Sequence, residues 1–287
     1  MRPAGSSIIR TLPGWFSVHD AKQLWGRVAS EPVFVLTADQ DWAPEWANEI
    51  FLEKIGKWGQ PAHIFRTSPS VRLDDAVKHG SIEQGWHPNF MPGSSHGATI
   101  DEVVQYCQRV FPGARTARAH CFAEDSFRMR ALAKAGIVAD SQNPTPCQGY
   151  LSPMIHVSGI LRLPVYFEDD CAFDAVDSAF TVNVFRKSLF TPGLKILNFH
   201  PTFVGCNTPS LAHYNSVRAK IFGTSEPAEN VRWSGHGTAN MFDELLSEIL
   251  SAGHKFQSLH SVVDEMWATV EQVPDLLPRG SLPRLDH

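Results

Sequence analysis

Short runs of consecutive apolar residues recur along the chain, each followed by a stretch with helical spacing, and this alternation limits the fold more than any other feature. The runs lie at 32–38 (PVFVLTA), 62–66 (AHIFR), 82–86, 114–120, 137–140, 163–167 (LPVYF) and 194–199 (LKILNF), with a last one near 255–259. Apolar side chains at successive positions suit strands covered on both faces, as in a parallel sheet. After the first run Pro44 opens a helix. Ala47, Ile50, Phe51, Ile55 and Trp58 then repeat at about 3.6 residues until Gly59. Thr99 and Glu102 form a T-x-x-E capping box, followed by a stripe of Ile100, Val103, Val104, Cys107 and Phe111. Phe127, Ala131 and Ala135 with Gly136 predict a third helix, and Phe242, Leu245, Leu246, Ile249 and Leu250 with Gly253 a fourth. Seven or eight such alternations point to a closed α/β barrel or an open doubly wound sheet. No G-x-G-x-x-G follows the first run, which counts against a dinucleotide-binding sheet. Residues 140–161 and 201–240 are rich in Pro, Gly, Ser, Thr and Asn, and read as long loops or small insertions on one barrel face. Residues 1–30 read as an N-terminal extension and 31–287 as a single domain.

The 287 residues are 43% hydrophobic and 19% charged, the profile of a globular chain. A net charge of −5 leaves no electrostatic footprint for nucleic acid. The five cysteines are odd in number and never spaced C-x-x-C, which argues against a disulfide framework and a zinc ribbon. No apolar stretch approaches the roughly 18 residues of a transmembrane helix. The first twenty residues lack the apolar core of a secretory signal, so a cytoplasmic location is the expectation.

Chemically capable residues gather where the strands end. The first run leads into Thr37-Ala38-Asp39-Gln40-Asp41-Trp42, the third into Trp86-His87-Pro88-Asn89 and then His96. The fourth leads into Arg118-Ala119-His120, the sixth into Glu168-Asp169-Asp170, and the seventh into Asn198-Phe199-His200. In α/β folds the carboxyl ends of parallel strands build the active site. Asp39 and Asp41, two apart, share one face if the strand continues through them. Two carboxylates so close repel unless one meets a cation, which leaves the other free as a base. An Asx turn or helix cap ahead of Pro44 is the competing role. His87 and His96, with a carboxylate, make a ligand set for zinc and similar ions, and His120 competes for the second place. His200 suits a general acid, since its pKa lies near neutrality. Arg118 with Asp169 or Asp170 reads as a bridge that orients the base.

This order of motifs resembles the polysaccharide deacetylase (NodB-homology, carbohydrate esterase family 4) superfamily over about residues 32–266. TADQD is similar to its first motif, His87 to the first histidine of its second, Arg118 to its third, Asp169 or Asp170 to its fourth, and His200 in ILNFHP to its fifth. Met91 stands where the second motif has its second histidine, so that ligand shifts to His96. The stretches DQDWAPE, HPNFMPGSSHG and FHP resemble a bacterial subgroup of O-antigen and surface-polysaccharide biosynthesis. The resemblance implies a distorted (β/α)7 barrel with long loops on its catalytic face. It implies one divalent metal ion, zinc before other transition metals, on Asp41, His87 and His96. It also implies Asp39 as base, His200 as acid, and Arg118 with Asp169 or Asp170 tuning the base. The implied reaction is removal of an acetyl group from an N-acetylated sugar. Trp42, Trp86 and Trp233 are then expected to stack on sugar rings, with Asn89, His120, Asn240 and His236 lining the pocket. Another metal-dependent C–N amide hydrolase and a non-catalytic glycan-binding relative are the alternatives.

Overall fold

The computed structural model describes residues 25–175, 185–223 and 231–272. Its strands run β1 (Pro32–Asp39), β2 (Ala62–Arg66), β3 (Glu83–Trp86), β4 (Thr116–Ala117), β5 (Ala139–Asp140), β6 (Met154–Ile155), β7 (Leu161–Arg162), β8 (Val165–Glu168), β9 (Gly193–Phe199) and β10 (Phe256–Gln257). Hydrogen bonding orders them β6-β7-β5-β4-β3-β2-β1-β9-β8, with β10 on the leading half of β1. All pairs are parallel except β6 with β7. The ring closes through the segment behind β5: Thr145 N–H donates to the Val165 carbonyl (2.9 Å) and Cys147 N–H to that of Tyr166 (2.7 Å). Seven strands, β1 to β5 with β8 and β9, thus form the distorted barrel that the family resemblance implies.

The central strands β1, β2 and β9 are almost wholly buried along their lengths, as their unbroken apolar runs require. Helices surround the strands, the last of them across the barrel floor: α1 (Glu45–Trp58), α2 (Val71–Lys78), α3 (Ile100–Val110), α4 (Ser126–Lys134), α5 (Asp169–Ala175), α6 (Arg186–Leu189), α7 (Pro201–Cys206), α8 (Leu211–Gly223), α9 (Thr238–Ser251) and α10 (Leu259–Gln272). The Thr99–Glu102 capping box forms at the start of α3. Gly59 ends α1 with φ +60°, the left-handed conformation that glycine takes without strain.

Several sequence expectations are corrected. The run 114–120 pairs only at Thr116–Ala117. Phe127 is 76% exposed and lies off the apolar face of its helix. The stretch 140–161 carries β6, and 201–240 carries α7 and α8, so neither is simply loop. Within 1–30, residues 1–24 lie outside the described residues. Val28, however, is buried against the barrel, so residues 25–30 belong to the domain. Residues 273–287 also lie outside the described residues. Among the described residues no helix is long and apolar enough to cross a membrane.

Candidate active site

The site stands on the carboxyl ends of β1, β3, β4, β8 and β9. β1 ends at Asp39, which points inward together with Thr37 by the period of two. Asp41 is not on that strand. The chain enters a turn in which Asp41 (φ +46°) and Trp42 (φ +54°) are both left-handed, and the turn carries Asp41 over the barrel mouth. The shared-strand argument for the pair therefore fails, although the two carboxyls still converge. Gln40 fixes the turn, accepting from the N–H groups of Thr67 (3.0 Å) and Ser68 (3.1 Å).

One oxygen of Asp41, Oδ1, meets His87 Nε2 at 3.0 Å and His120 Nδ1 at 2.8 Å. Its other oxygen lies 3.5 Å from His200 Nε2. Burial would push the Asp41 carboxyl up, but hydrogen bonds from His120 and His87 hold it well below the usual range. One carboxylate and two imidazoles with ligand atoms within 4.8 Å of one another are a donor set suited to zinc or a similar ion. His87 also keeps a buried Nδ1 without a hydrogen-bond partner, 3.7 Å from Asp39.

His96, expected among the ligands, is elsewhere. Its Nδ1 accepts the backbone N–H of Asn89 at 3.1 Å, and its ring stacks on Tyr106 at 4.2 Å between centroids. Burial pushes it down to about 4. It braces the 88–99 loop, and His120 takes the place beside Asp41 and His87. A 3-10 turn after β4 (His120–Phe122) delivers His120, a placement that strand spacing alone does not reveal.

Behind Asp41 lies a buried polar network. Arg118, fully buried, donates to Asp39 Oδ1 (3.0 Å), Thr37 Oγ1 (3.1 Å), the Ser141 carbonyl (2.6 Å) and hydroxyl (2.8 Å), and closely to Asn198 Oδ1. Asn198 in turn donates to Asp39 Oδ2 (2.9 Å) and Glu168 Oε1 (3.1 Å). Burial, then the charges of Asp170 and Asp39, hold Glu168 well above its usual value. Both oxygens of Asp39 are thereby anchored by donors.

His200 closes the site. Its Nδ1 meets Asp169 Oδ1 at 2.6 Å, and its backbone N–H donates to Asp169 Oδ2 at 2.9 Å. Burial alone would lower the imidazole; the charge and hydrogen bond of Asp169 override it and hold His200 well above its usual value. Asp169 thus serves His200 rather than Arg118. Asp170 lies beside this pair, a ligand atom within 4.8 Å of those of Asp169 and His200, and its Oδ1 is buried without a hydrogen-bond partner.

The expected sugar-stacking residues divide. Trp42 borders the site, its ring 5.1 Å from that of His120. Trp86 is corrected to a core residue: it is 2% exposed, and its indole N–H donates to the Phe111 carbonyl at 2.9 Å. Asn89 is spent on its own loop, accepting the Met91 N–H at 3.0 Å. Trp233 packs beside His213, and His236 pairs with Glu244 at 2.7 Å, both outside the Asp41 cluster. Asn240 caps α9, accepting the Gly237 N–H at 3.1 Å. Thr37, Ser141, Glu168 and Asn198 were missing from the expected site. The signal for Asn198 is its position two residues before His200 on β9, the same parity that links Thr37 to Asp39.

A parallel-stranded barrel with carboxylates and imidazoles at its strand ends is the architecture of the sugar deacetylases. The chain matches the family of WbmS-like polysaccharide deacetylases over residues 36–218, and it belongs to that family. A Bordetella bronchiseptica structure named as a polysaccharide deacetylase involved in O-antigen biosynthesis superposes with a TM-score of 0.68 at 23% identity, over 81% of this chain and 95% of that one. A family 4 acetyl xylan esterase from Clostridium thermocellum, in complex with a cobalt ion, gives 0.42 at 12%, covering 81% and 91%. A CE4 family pseudoenzyme from Bacillus anthracis gives 0.42 at 11%, covering 82% and 66%. No curated protein matches the sequence.

Proposed function

We propose that this chain is a metal-dependent deacetylase that removes the acetyl group from an N-acetylated sugar during bacterial surface-polysaccharide biosynthesis. The observation that carries the reading is the convergence of Asp41, His87 and His120 beside a doubly anchored Asp39, with the His200–Asp169 pair facing them. The family and the name of its Bordetella relative support the substrate class.

Asp41, His87 Nε2 and His120 Nδ1 would hold the cation. When bound, such an ion supplies Lewis acidity, acidifying water and polarising the acetamide carbonyl. Asp39 takes the proton of the attacking water. Arg118 and Asn198 hold its two oxygens in place, so its geometry is set before substrate arrives. The Nδ1 of His200 is locked on Asp169, which leaves the Nε2 proton to give to the departing amine. Trp42, at the rim, offers an aromatic face to the sugar.

The experiment is acetate release from N-acetylated monosaccharides, nucleotide sugars and oligosaccharides by the full chain, before and after chelation and after zinc is restored. Activity that falls on chelation, returns with zinc and is absent in Asp39→Asn supports the reading. Unchanged turnover after chelation, or full activity in Asp39→Asn, sinks it.

A further inference from the structure

The face of the barrel away from Asp41 carries a second grouping of two imidazoles and a carboxylate that the deacetylase site leaves unused. Glu83 opens β3, four residues before His87, a separation of roughly 13 Å along a strand. Directly across the sheet in register is His63 of β2, and His260 comes from the first turn of α10. We propose that His63, Glu83 and His260 form a second site for a divalent transition-metal ion of the zinc type, one that clips α10 to the barrel floor.

Distance is the first argument. His63 Nδ1 lies 3.3 Å from Glu83 Oε2, and His260 Nδ1 lies 3.4 Å from Glu83 Oε1. Hydrogen bonds from imidazole to carboxylate close to about 2.7–2.9 Å when charge assists them, as the 2.6 Å His200–Asp169 contact does in this chain. A tetrahedral ion with bonds of about 2.0–2.1 Å holds its ligand atoms about 3.3 Å apart, which is the spacing found here. The ligand atoms of all three residues lie within 4.8 Å of one another.

The outer contacts are the second argument. The far nitrogen of His63, Nε2, is hydrogen-bonded to Thr116 Oγ1 at 3.0 Å, the kind of partner that fixes the ring of a metal-bound histidine. Gly85 makes room for that pair: a Cβ there would stand 2.6 Å from His63 Nε2 and 2.7 Å from Thr116 Oγ1. Glu83 is further oriented by the His260 N–H at 3.1 Å and by a close hydroxyl contact from Ser258. His260 Nε2 is buried without the hydrogen-bond partner that His63 Nε2 has, and Nδ1, 3.4 Å from Glu83 Oε1, is the nitrogen that faces the group.

Protonation is compatible, because a metal needs neutral imidazoles and an ionised carboxylate. Burial pushes His63 down to about 4. Burial would raise Glu83, but hydrogen bonds from His63 and Ser258 bring it to about 2.

The test is zinc content of the full chain by elemental analysis after equilibration with zinc and removal of the excess. Wild type, Asp41→Asn, His260→Ala and Glu83→Gln are compared, with circular dichroism confirming that each is folded. The expected result is two equivalents in wild type and one in each variant, with His260→Ala keeping deacetylase turnover and Asp41→Asn losing it. Identical zinc content in His260→Ala, Glu83→Gln and wild type overturns the second site. A wild type that holds a single equivalent, lost in His260→Ala and Glu83→Gln but kept in Asp41→Asn, supports this site and counts against the catalytic metal, so the two readings fail separately.

Discussion

His120 and His96 each have a claim on the third place beside Asp41 and His87, and their side-chain contacts set them apart. His120 turns Nδ1 onto Asp41, whereas His96 has committed Nδ1 to a backbone N–H and its ring face to Tyr106. His120→Ala is therefore expected to lose bound zinc at the catalytic site and reduce turnover by about 100-fold or more, given that even outer-shell changes cost roughly 10–100-fold. His96→Ala should keep metal and most of its turnover while losing about 1 kcal/mol of stability with the stacking contact; metal analysis and urea unfolding decide it. A second residue-level outcome concerns acid. Folded His63 titrates at about 4 against about 6.5 unfolded, so the unfolded state binds its proton first. Stability should fall as pH drops from about 6.5 to 4. Glu83 titrates at about 2 folded against about 4.3 unfolded, so its contribution is present above the unfolded value and drains as pH falls from about 4.5 to 2. At about 1.4 kcal/mol per pKa unit, the chelated protein should lose on the order of 3 kcal/mol between pH 7 and 4. His63→Gln should flatten that decline in urea titrations.

At the scale of elements, Arg118 ties strands together. One guanidinium reaches Thr37 and Asp39 of β1, Asn198 of β9 and Ser141 just past β5, with Phe65 of β2 4.4 Å beneath it. Removing one partner of a buried charge pair strands the other, at a cost of about 3–5 kcal/mol. Arg118→Met should lose that much in denaturant unfolding and also lower kcat. Arg118→Lys should lose less stability, yet still fail to hold Asp39, because an ammonium cannot span the donors of a planar fork. The strands that carry this network were legible in the sequence wherever burial on both faces left an uninterrupted apolar run, as at β1, β2 and β9. Strands of two residues, such as β6 and β7, hold too few side chains to make a pattern. The site was legible for the same reason: Asp39, His87, Arg118 and His200 follow strands. Asp41 and His120 arrive through left-handed and 3-10 turns, where neighbours in sequence do not dictate direction. The sequence of α8 shows no helical stripe because its apolar residues, from Leu211 to Phe222, are spread around the helix, and only Val217 and Ile221 are buried.

For the molecule as a whole, the floor of the barrel decides whether the site can exist. α10 lays Leu259, Val262, Val263, Met266 and Val270 against Val33, Val35, Leu194 and Ile196 of the barrel and against Trp25 and Val28. Two ion pairs also join this helix to the rest of the chain, Arg27 with Glu265 at 2.8 Å and Arg115 with Asp264 at 2.7 Å. Exposed pairs of this kind are worth about 0–1 kcal/mol each, whereas burying each apolar side chain is worth about 1.5–3 kcal/mol. Five such residues contribute roughly 7–15 kcal/mol of gross burial, far more than the two ion pairs together. Arg27→Met should therefore shift the unfolding free energy by under about 1 kcal/mol, and Met266→Ala should cost about 2–5 kcal/mol. A chain truncated after Gln257 should show no cooperative thermal transition and bind no zinc, because β1 and β9, which carry Asp39 and His200, rest on that helix. A truncated chain that melts cooperatively near the wild-type temperature would mean that the barrel is stabilised without its floor.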